Sequence, residues 1–343
     1  MKHIVVRNFI RSTSSHRIRP RRIARLRVDR DQSRDGISLI WRKDGFRPSG
    51  YRYSSVKFPE QGAAAMPSKT LLTVTGPDQG DDDLKLATGL CEEINAHLSV
   101  LVLVIAAPPS GGAYAEVVSP AWLAERQAEM EMLQKRISAV SKMLSASPVS
   151  TDLSDDYPDH AWADEVIGRR ARYADLTVLG PDLLTSQTLK EKVIEGALFS
   201  SGRPLLLVPK GPTVTLKPKR VLVAWDASLE ASRALRESLN ILSGADEVRV
   251  AMVNPIEDER HHGAEPGADV ASYLSRHGVK VAVDRLPSSN HSIADVLRRH
   301  AVDTGAELMV MGAYGHSRLR ERIFGGVTRS MIEDPGLPII MAR

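Results

Sequence analysis

The segment Leu308-Met-Val-Met-Gly312-Ala-Tyr-Gly315 is the most informative part of the sequence about the fold. Its apolar first part has the length of a strand and ends in a Gly-x2-Gly pair. After nine further residues the pair Gly325-Gly326 opens a segment whose apolar residues have helical spacing. This order predicts a strand, a glycine-rich loop and a helix.

A loop of this kind is suited to an anion. Glycines permit positive φ and let backbone N–H groups approach a ligand, and the N-terminus of a helix favours negative charge. The spacing lacks the Gly-Lys-Ser/Thr ending of a P-loop and the G-x-G-x-x-G of a dinucleotide turn. It therefore predicts a phosphate-binding loop of another type. The alternative is that the glycines serve only a tight turn and close packing.

The composition is that of a soluble globular protein with room for two domains, because 42% of its 343 residues are hydrophobic and 26% are charged. Its apolar runs are shorter than the roughly 20 residues that a membrane-spanning helix needs. The single cysteine, Cys91, excludes an internal disulfide framework and favours a reducing cytoplasm. Cys91 is expected to be buried on the apolar side of a helix.

Charge is distributed unevenly along the chain. Residues 1–65 contain 16 Lys and Arg against 5 Asp and Glu, whereas the whole chain contains 46 and 42, so residues 66–343 are acidic. The leading segment lacks apolar periodicity and is predicted to be a disordered basic extension. It is an arm for nucleic acid or an acidic partner, a targeting segment, or the product of a start codon placed too far upstream of Met66. We favour the last explanation, and nucleic-acid binding is expected only if the segment is real.

From Lys69 onwards, short aliphatic runs alternate with amphipathic stretches, which predicts parallel sheets wrapped by helices. The pattern occurs twice, in a unit at 66–211 and in a second unit at 219–343, joined by a linker at 212–218. The predicted strands are 71–75, 99–105, 149–153, 176–180, 204–208, 220–225, 247–253, 279–286, 308–312 and 338–341. The predicted helices are 82–96, 119–145, 160–173, 187–201, 229–242, 267–277, 291–304 and 326–334.

The Gly-x2-Gly-x9-Gly motif, following a strand that ends in Val-Met-Gly312, resembles the nucleotide-binding loop of the universal stress proteins. Together, residues 66–343 resemble the tandem type, in which two domains on one chain imitate the dimer of the single-domain members. The resemblance implies two Rossmann-like α/β domains. Each would contain a five-stranded parallel sheet of order 3-2-1-4-5 with helices on both faces, and a ligand site at the carboxyl ends of the strands.

The resemblance also implies a set of site residues. Asp226 matches the acid of the family's Asp-Gly-Ser, which contacts the adenosine, and Ala227 replaces the glycine; Ser228 is placed to cap the next helix. Gly326 stands where the family usually has a Ser or Thr that contacts phosphate. The expected nucleotide-binding residues are Asp226, Val253, Gly312, Gly315, Arg318, Gly325, Gly326 and Thr328. For Asp226 and Arg318 the alternative is an ordinary solvated surface charge.

The first unit departs from the motif, because Pro181 follows Gly180 and lacks an N–H, so this unit is predicted to be degenerate and structural. We therefore expect a cytoplasmic stress-response protein that binds ATP, with magnesium, at one site and acts as a sensor or adaptor. No catalytic residue or metal ligand set is predicted, so the chain is at most a weak ATPase. The alternative is a nucleotide-free dimerising interaction protein of the same fold. The first unit is expected to cover the second through an apolar interface, with 203–208 and 337–341 as the candidate edge strands, and self-association through edge strands is also expected.

Overall fold

The computed structural model describes residues 69–106, 120–255, 265–314 and 326–343. The predictions made for residues 1–65, Gly315, Arg318 and Gly325 lie outside the described residues.

The first half of the described chain alternates strands with helices, as its alternation of aliphatic and amphipathic stretches predicts. Its strands are β1 (Thr70–Thr75), β2 (His97–Leu103), β3 (Thr151–Asp156), β4 (Leu176–Leu179) and β5 (Leu205–Leu207). Its helices are α1 (Asp82–Ile94), α2 (Pro120–Ser145), α3 (Ala163–Ala171), α4 (Pro181–Thr185) and α5 (Gln187–Glu195). A 3₁₀ turn at His160–Trp162 precedes α3, and a π-helical turn at Gly196–Ser201 follows α5.

The second half repeats this arrangement. Its strands are β6 (Arg220–Ala224), β7 (Glu247–Val253), β8 (Val281–Leu286), β9 (Leu308–Gly312) and β10 (Ile339–Ala342). Its helices are α6 (Leu229–Glu237), α7 (Leu239–Gly244), α8 (Ala268–Arg276), α9 (Ile293–Asp303) and α10 (Gly326–Glu333). None of the helices in the described residues is long and apolar enough to cross a membrane.

All ten of these strands form one sheet, in the order β3-β2-β1-β4-β5-β10-β9-β6-β7-β8. Strands within each half pair in parallel, and each half has the order 3-2-1-4-5 that was expected. The halves join where β5 pairs antiparallel with β10, with Leu207 opposite Ile339 and Leu205 opposite Met341. The predicted α/β fold is confirmed, and its two sheets are continuous.

The two predicted edge strands, β5 and β10, meet at this joint. β5 and β10 pair with each other, so their backbone N–H and C=O groups are hydrogen-bonded within the chain. Both are interior strands of the ten-stranded sheet. The expected contact of the first unit with the second through these strands is confirmed, whereas self-association of the chain stays a prediction.

The core lies on both faces of the sheet. Leu71 and Leu72, neighbours in β1, are both 0% exposed and belong to two different apolar clusters, one on each face. In the second half, Val221 and Leu222 of β6 divide between the same two clusters. Strands buried on both faces are typical of parallel sheets covered by helices on either side. Cys91 is fully buried in the first of these clusters, as predicted.

The segment between the halves is docked on α1. The carboxylate of Glu93 accepts hydrogen bonds from the hydroxyl of Thr215 and from the backbone N–H of Leu216, the latter at 2.9 Å. Lys217 Nζ donates to the backbone oxygen of Glu93 at 2.6 Å. The connection between β5 and β6 is therefore held against the first half by side-chain contacts.

Candidate functional site

A cavity of about 270 Å³ lies where β6, β7 and β9 end. β6 lies between β7 and β9 in the sheet, so the connections that follow β6 and β9 leave from adjacent strands. Ligands of open α/β sheets collect at such a switch point, outside the carboxyl ends of the strands. The cavity therefore lies where the strand order predicted a site.

Asp226 stands at the rim of this cavity, directly after β6. Its side chain is exposed, and Oδ1 accepts a hydrogen bond from the backbone N–H of Ser228 at 3.0 Å. Ser228 Oγ in turn accepts from the N–H of Ala231 at 3.1 Å and caps α6, which confirms the predicted cap. These two bonds fix the Asp226 carboxylate at the mouth of the cavity.

Ala227, between them, has a φ of 60°, in the left-handed region. A residue with a Cβ is strained there, whereas glycine is not. The turn that positions Asp226 therefore has a backbone geometry that favours glycine at its centre, although alanine occupies that position.

Gly312 ends β9 and lines the cavity, and α6 packs directly against it. A Cβ built on Gly312 would lie 2.4 Å from the nitrogen of Ala231 and 2.7 Å from the carbonyl carbon of Glu230. Both are backbone atoms, which cannot rotate away. Close packing is therefore a sufficient reason for this glycine, and its role toward phosphate stays a prediction.

Gly326 and Thr328 belong to the first turn of α10 and border the same cavity. A Cβ at Gly326 would meet no atom of the described residues within 4 Å, so none of them fills the space beside it. Thr328 is buried, and its Oγ1 accepts a hydrogen bond from the N–H of Tyr314 at 3.3 Å. The Thr328 hydroxyl therefore holds the start of the glycine loop against α10.

The inner part of the cavity is apolar. Val253 at the end of β7 and its neighbour Met252 form part of the wall, and Ile293 and Leu297 contribute from successive turns of α9. Sequence reasoning found Val253 but missed the two α9 residues, because apolar residues at helical spacing are normally assigned to the core. An apolar wall with a polar mouth is suited to a flat ring with a charged substituent.

Tyr314 lines the cavity as well and was missed by sequence reasoning. It is 5% exposed, has a φ of 65°, and its ring lies 4.9 Å from the ring of Phe199 in the first half. Burial raises the pKa of the Tyr314 hydroxyl well above its usual range, with smaller contributions from Glu195 and Glu191, so the side chain stays neutral at physiological pH. Tyr314 also borders a second cavity, of about 500 Å³, between the two halves.

The corresponding edge of the first half holds a carboxylate of the chain itself. Asp83 is 3% exposed and accepts hydrogen bonds from the N–H groups of Asp182 at 2.9 Å and Leu183 at 2.8 Å, at the start of α4. A Cβ on Gly180 would lie 2.3 Å from Asp83 Oδ1. Burial raises the pKa of Asp83, and the two backbone hydrogen bonds oppose this rise. The side chain of Asp83 thus accepts hydrogen bonds from the backbone N–H groups just after β4.

Arg136 of α2 covers the end of β1 in the same region. Its guanidinium donates to Asp81 at 2.7 Å, to Thr75 Oγ1 at 2.9 Å and to the backbone oxygen of Gly80 at 2.8 Å. Side chains of the first half therefore occupy the end of β1, which is the counterpart of the open rim after β6.

This fold and site define a doubly wound α/β protein with a ligand cavity at the switch point of its second half. The model of the universal stress protein family matches residues 217–343. A universal stress protein of Synechocystis is 26% identical over 152 residues, which is 44% of this chain and 50% of that protein. The matched region thus spans half the length of this relative. The similarity to the universal stress protein family therefore lies in residues 217–343, the second half of the chain.

Solved structures show that the fold extends over both halves. A universal stress protein from Archaeoglobus fulgidus has a TM-score of 0.54 at 18% identity, covering 80% of this chain and 96% of that one. A functionally unknown protein from Pseudomonas aeruginosa has a TM-score of 0.50 at 17% identity, covering 80% and 92%. At these identities the likeness concerns the fold alone.

Proposed function

We propose that the chain is a cytoplasmic stress-response protein that binds an adenine nucleotide, ATP, at one site in its second half and acts as a sensor or adaptor. The observation that supports this proposal is the cavity at the ends of β6, β7 and β9. Five of the residues expected to bind nucleotide line it together, although they come from separate parts of the sequence: Asp226, Val253, Gly312, Gly326 and Thr328.

The parts of a nucleotide have natural places in this cavity. The base would lie against Met252, Ile293 and Leu297, because these side chains offer apolar contact to a flat ring. The Asp226 carboxylate would accept hydrogen bonds from ribose hydroxyls. The phosphates would face the first turn of α10, whose leading N–H groups have no intrahelical acceptor. Magnesium would accompany the phosphates, and Gly315, Arg318 and Gly325 remain proposed phosphate contacts.

We further propose that binding, not turnover, is the function of the site. Among the described residues that line the cavity, Asp226 is the single carboxylate. Its Oδ1 already accepts a hydrogen bond from Ser228, and its position at the rim suits a ribose. A nucleotide hydrolase needs groups that position the attacking water and hold the metal at the terminal phosphate.

Titration calorimetry of the full chain with ATP and magnesium tests the proposal. We expect saturable binding at about one site per chain. Asp226→Asn keeps the acceptor for Ser228 but removes the charge, so affinity should fall by roughly tenfold, the difference of a charge-assisted hydrogen bond. Asp269→Asn, at an exposed aspartate of α8, is the matched control and should bind like the wild type.

Gly326→Ser provides a test in the opposite direction. The position has open space for a side chain, and serine supplies the hydroxyl that the family usually has there. Affinity for ATP should rise by several-fold, roughly the contribution of one hydrogen bond to a charged group. No saturable binding by the wild type and by Gly326→Ser, with both proteins folded by circular dichroism, would refute nucleotide binding.

A second candidate function is a nucleotide-free dimerising interaction protein. Two observations favour it: Gly326 has no side-chain hydroxyl, and Gly312 is explained by its contact with α6 alone. Sedimentation equilibrium with and without ATP separates the candidates. The second predicts a dimer whose affinity is independent of ATP, formed through a surface other than β5 and β10.

A further inference from the structure

Tyr314 connects the candidate nucleotide cavity to the first half of the chain. It borders the cavity at the ends of β6, β7 and β9 and also the larger cavity between the halves. Its ring meets that of Phe199 at a centroid distance of 4.9 Å and an interplanar angle of 55°. Tilted aromatic pairs at this distance attract each other beyond simple burial of area.

The backbone at Tyr314 has an uncommon conformation. Its φ of 65° lies in the left-handed region, which is unfavourable for a residue with a bulky side chain. Among its contacts, the N–H donates to Thr328 Oγ1 at 3.3 Å, and the ring packs on Phe199. One contact comes from α10 beside the nucleotide cavity, and the other comes from the first half.

Phe199 is itself well anchored. It lies in the π-helical turn Gly196–Ser201, and such turns are frequent at functional sites. This turn packs closely on α3, since a Cβ at Gly196 would lie 2.8 Å from Ile167 Cβ. The guanidinium of Arg343 lies 4.3 Å from the centre of the Phe199 ring. Phe199 is therefore held by α3 of its own half and by Arg343, which follows β10.

We propose that Phe199 is a positioning residue for the nucleotide site of the other half, acting through Tyr314. This inference rests on the proposed nucleotide binding. Phe199 does not line the nucleotide cavity among the described residues; it holds Tyr314 in the conformation that sets the start of the glycine loop. The cavity of about 500 Å³ beside the Tyr314 ring gives that ring space to turn when the contact is lost. The first half thereby sets the affinity of a site that it does not contain.

The test compares ATP affinity among variants of the full chain. Phe199→Leu keeps an apolar side chain but removes the ring pair, and it should weaken ATP binding by about two- to tenfold. Phe199→Tyr keeps the ring and should restore wild-type affinity. Ile194→Val changes another apolar residue of the inter-half cavity and should leave affinity unchanged. Wild-type affinity in Phe199→Leu would overturn the inference while leaving the proposed function intact.

A second arm needs no nucleotide. Thr328→Val removes the acceptor for the Tyr314 N–H and so loosens Tyr314. Because the Tyr314 ring packs on Phe199, amide hydrogen exchange should become faster in residues 196–201 of the first half. Thr304→Val, which removes a hydroxyl at the end of α9, is the control. Unchanged exchange in Thr328→Val would overturn the link. Absence of ATP binding by the wild type would instead refute the proposed function, and the exchange result would still decide whether Tyr314 joins the halves.

Discussion

Gly312→Ala is expected to destabilise the protein by about 2 kcal/mol. The added Cβ would lie 2.4 Å from the backbone nitrogen of Ala231, about 1 Å short of ordinary contact at 3.4 Å. The first turn of α6 would have to move by that amount, and overpacking of this kind costs about 1–3 kcal/mol. Because the obstructing atoms belong to the backbone, we expect the upper part of this range. The lower chain entropy of unfolded alanine offsets about 0.4–1 kcal/mol.

Gly326→Ala is the matched control, since both glycines belong to the predicted loop and only one is packed. Within the part of the chain that the structure describes, a Cβ at Gly326 meets nothing within 4 Å, so this variant should be as stable as the wild type or gain about 0.4–1 kcal/mol. Urea unfolding followed by circular dichroism measures both, with an unchanged m-value as the sign that only stability has changed. Equal stability of Gly312→Ala and the wild type would refute the close contact between β9 and α6.

Three further predictions concern other parts of the chain. Ala227→Gly should stabilise the protein by about 0.5 kcal/mol in urea unfolding, because relief of left-handed strain, about 1–2 kcal/mol, exceeds the added chain entropy; a loss of stability would show that the turn is unstrained. Burial raises the pKa of Asp83, so the folded state binds the proton of this carboxyl more tightly than the unfolded state does. The protonated Asp83 therefore contributes fully to stability below the usual pKa of 3.8, and this contribution is lost as the pH rises through the raised pKa. The stability advantage of the wild type over Asp83→Asn should therefore be larger at about pH 3.5 than at neutral pH, and the reverse trend would contradict this sign. Burial raises the pKa of the Cys91 thiol to about 12, so iodoacetamide near pH 8 should alkylate it about a hundredfold more slowly in the folded protein than in urea, and equal rates would show that the thiol is exposed.

Strands with an apolar run were predicted well from the sequence. β7 and β9 have the predicted bounds, because Val and Met runs flanked by polar residues leave little choice. β3 was predicted at 149–153 but covers Thr151–Asp156, since this outer strand is largely polar and its pairing with β2 sets its position. The predicted helix at 229–242 is divided at Ser238 into α6 and α7.

Two other elements escaped prediction because tertiary contacts create them. The short helix α4 begins at Pro181, where the N–H groups of the next two residues donate to the buried Asp83 carboxylate. The predicted helix at 187–201 is α-helical only to Glu195 and continues as a π-helical turn. Neither the partner of α4 nor the change of helix type has a local sequence signal.

The site was predictable where the chemistry is local. Asp226 and Ser228 adjoin a strand end, so their positions follow from the strand itself. The role of Gly312 in packing and the contact between Tyr314 and Phe199 were not predictable, because each depends on an element distant in sequence. Spacing alone does not distinguish a glycine that approaches a ligand from one that approaches a helix.

The antiparallel joint of β5 and β10 has a consequence for how the two halves can differ. In a symmetric dimer every substitution is present in both subunits, so a change that closes one site closes the other. Here the matching strands belong to one chain, and their association does not weaken on dilution because they are covalently linked. The first half can therefore bury Asp83 and Arg136 at its carboxyl edge while the second half keeps an open cavity. The single chain permits an asymmetry that two identical subunits exclude.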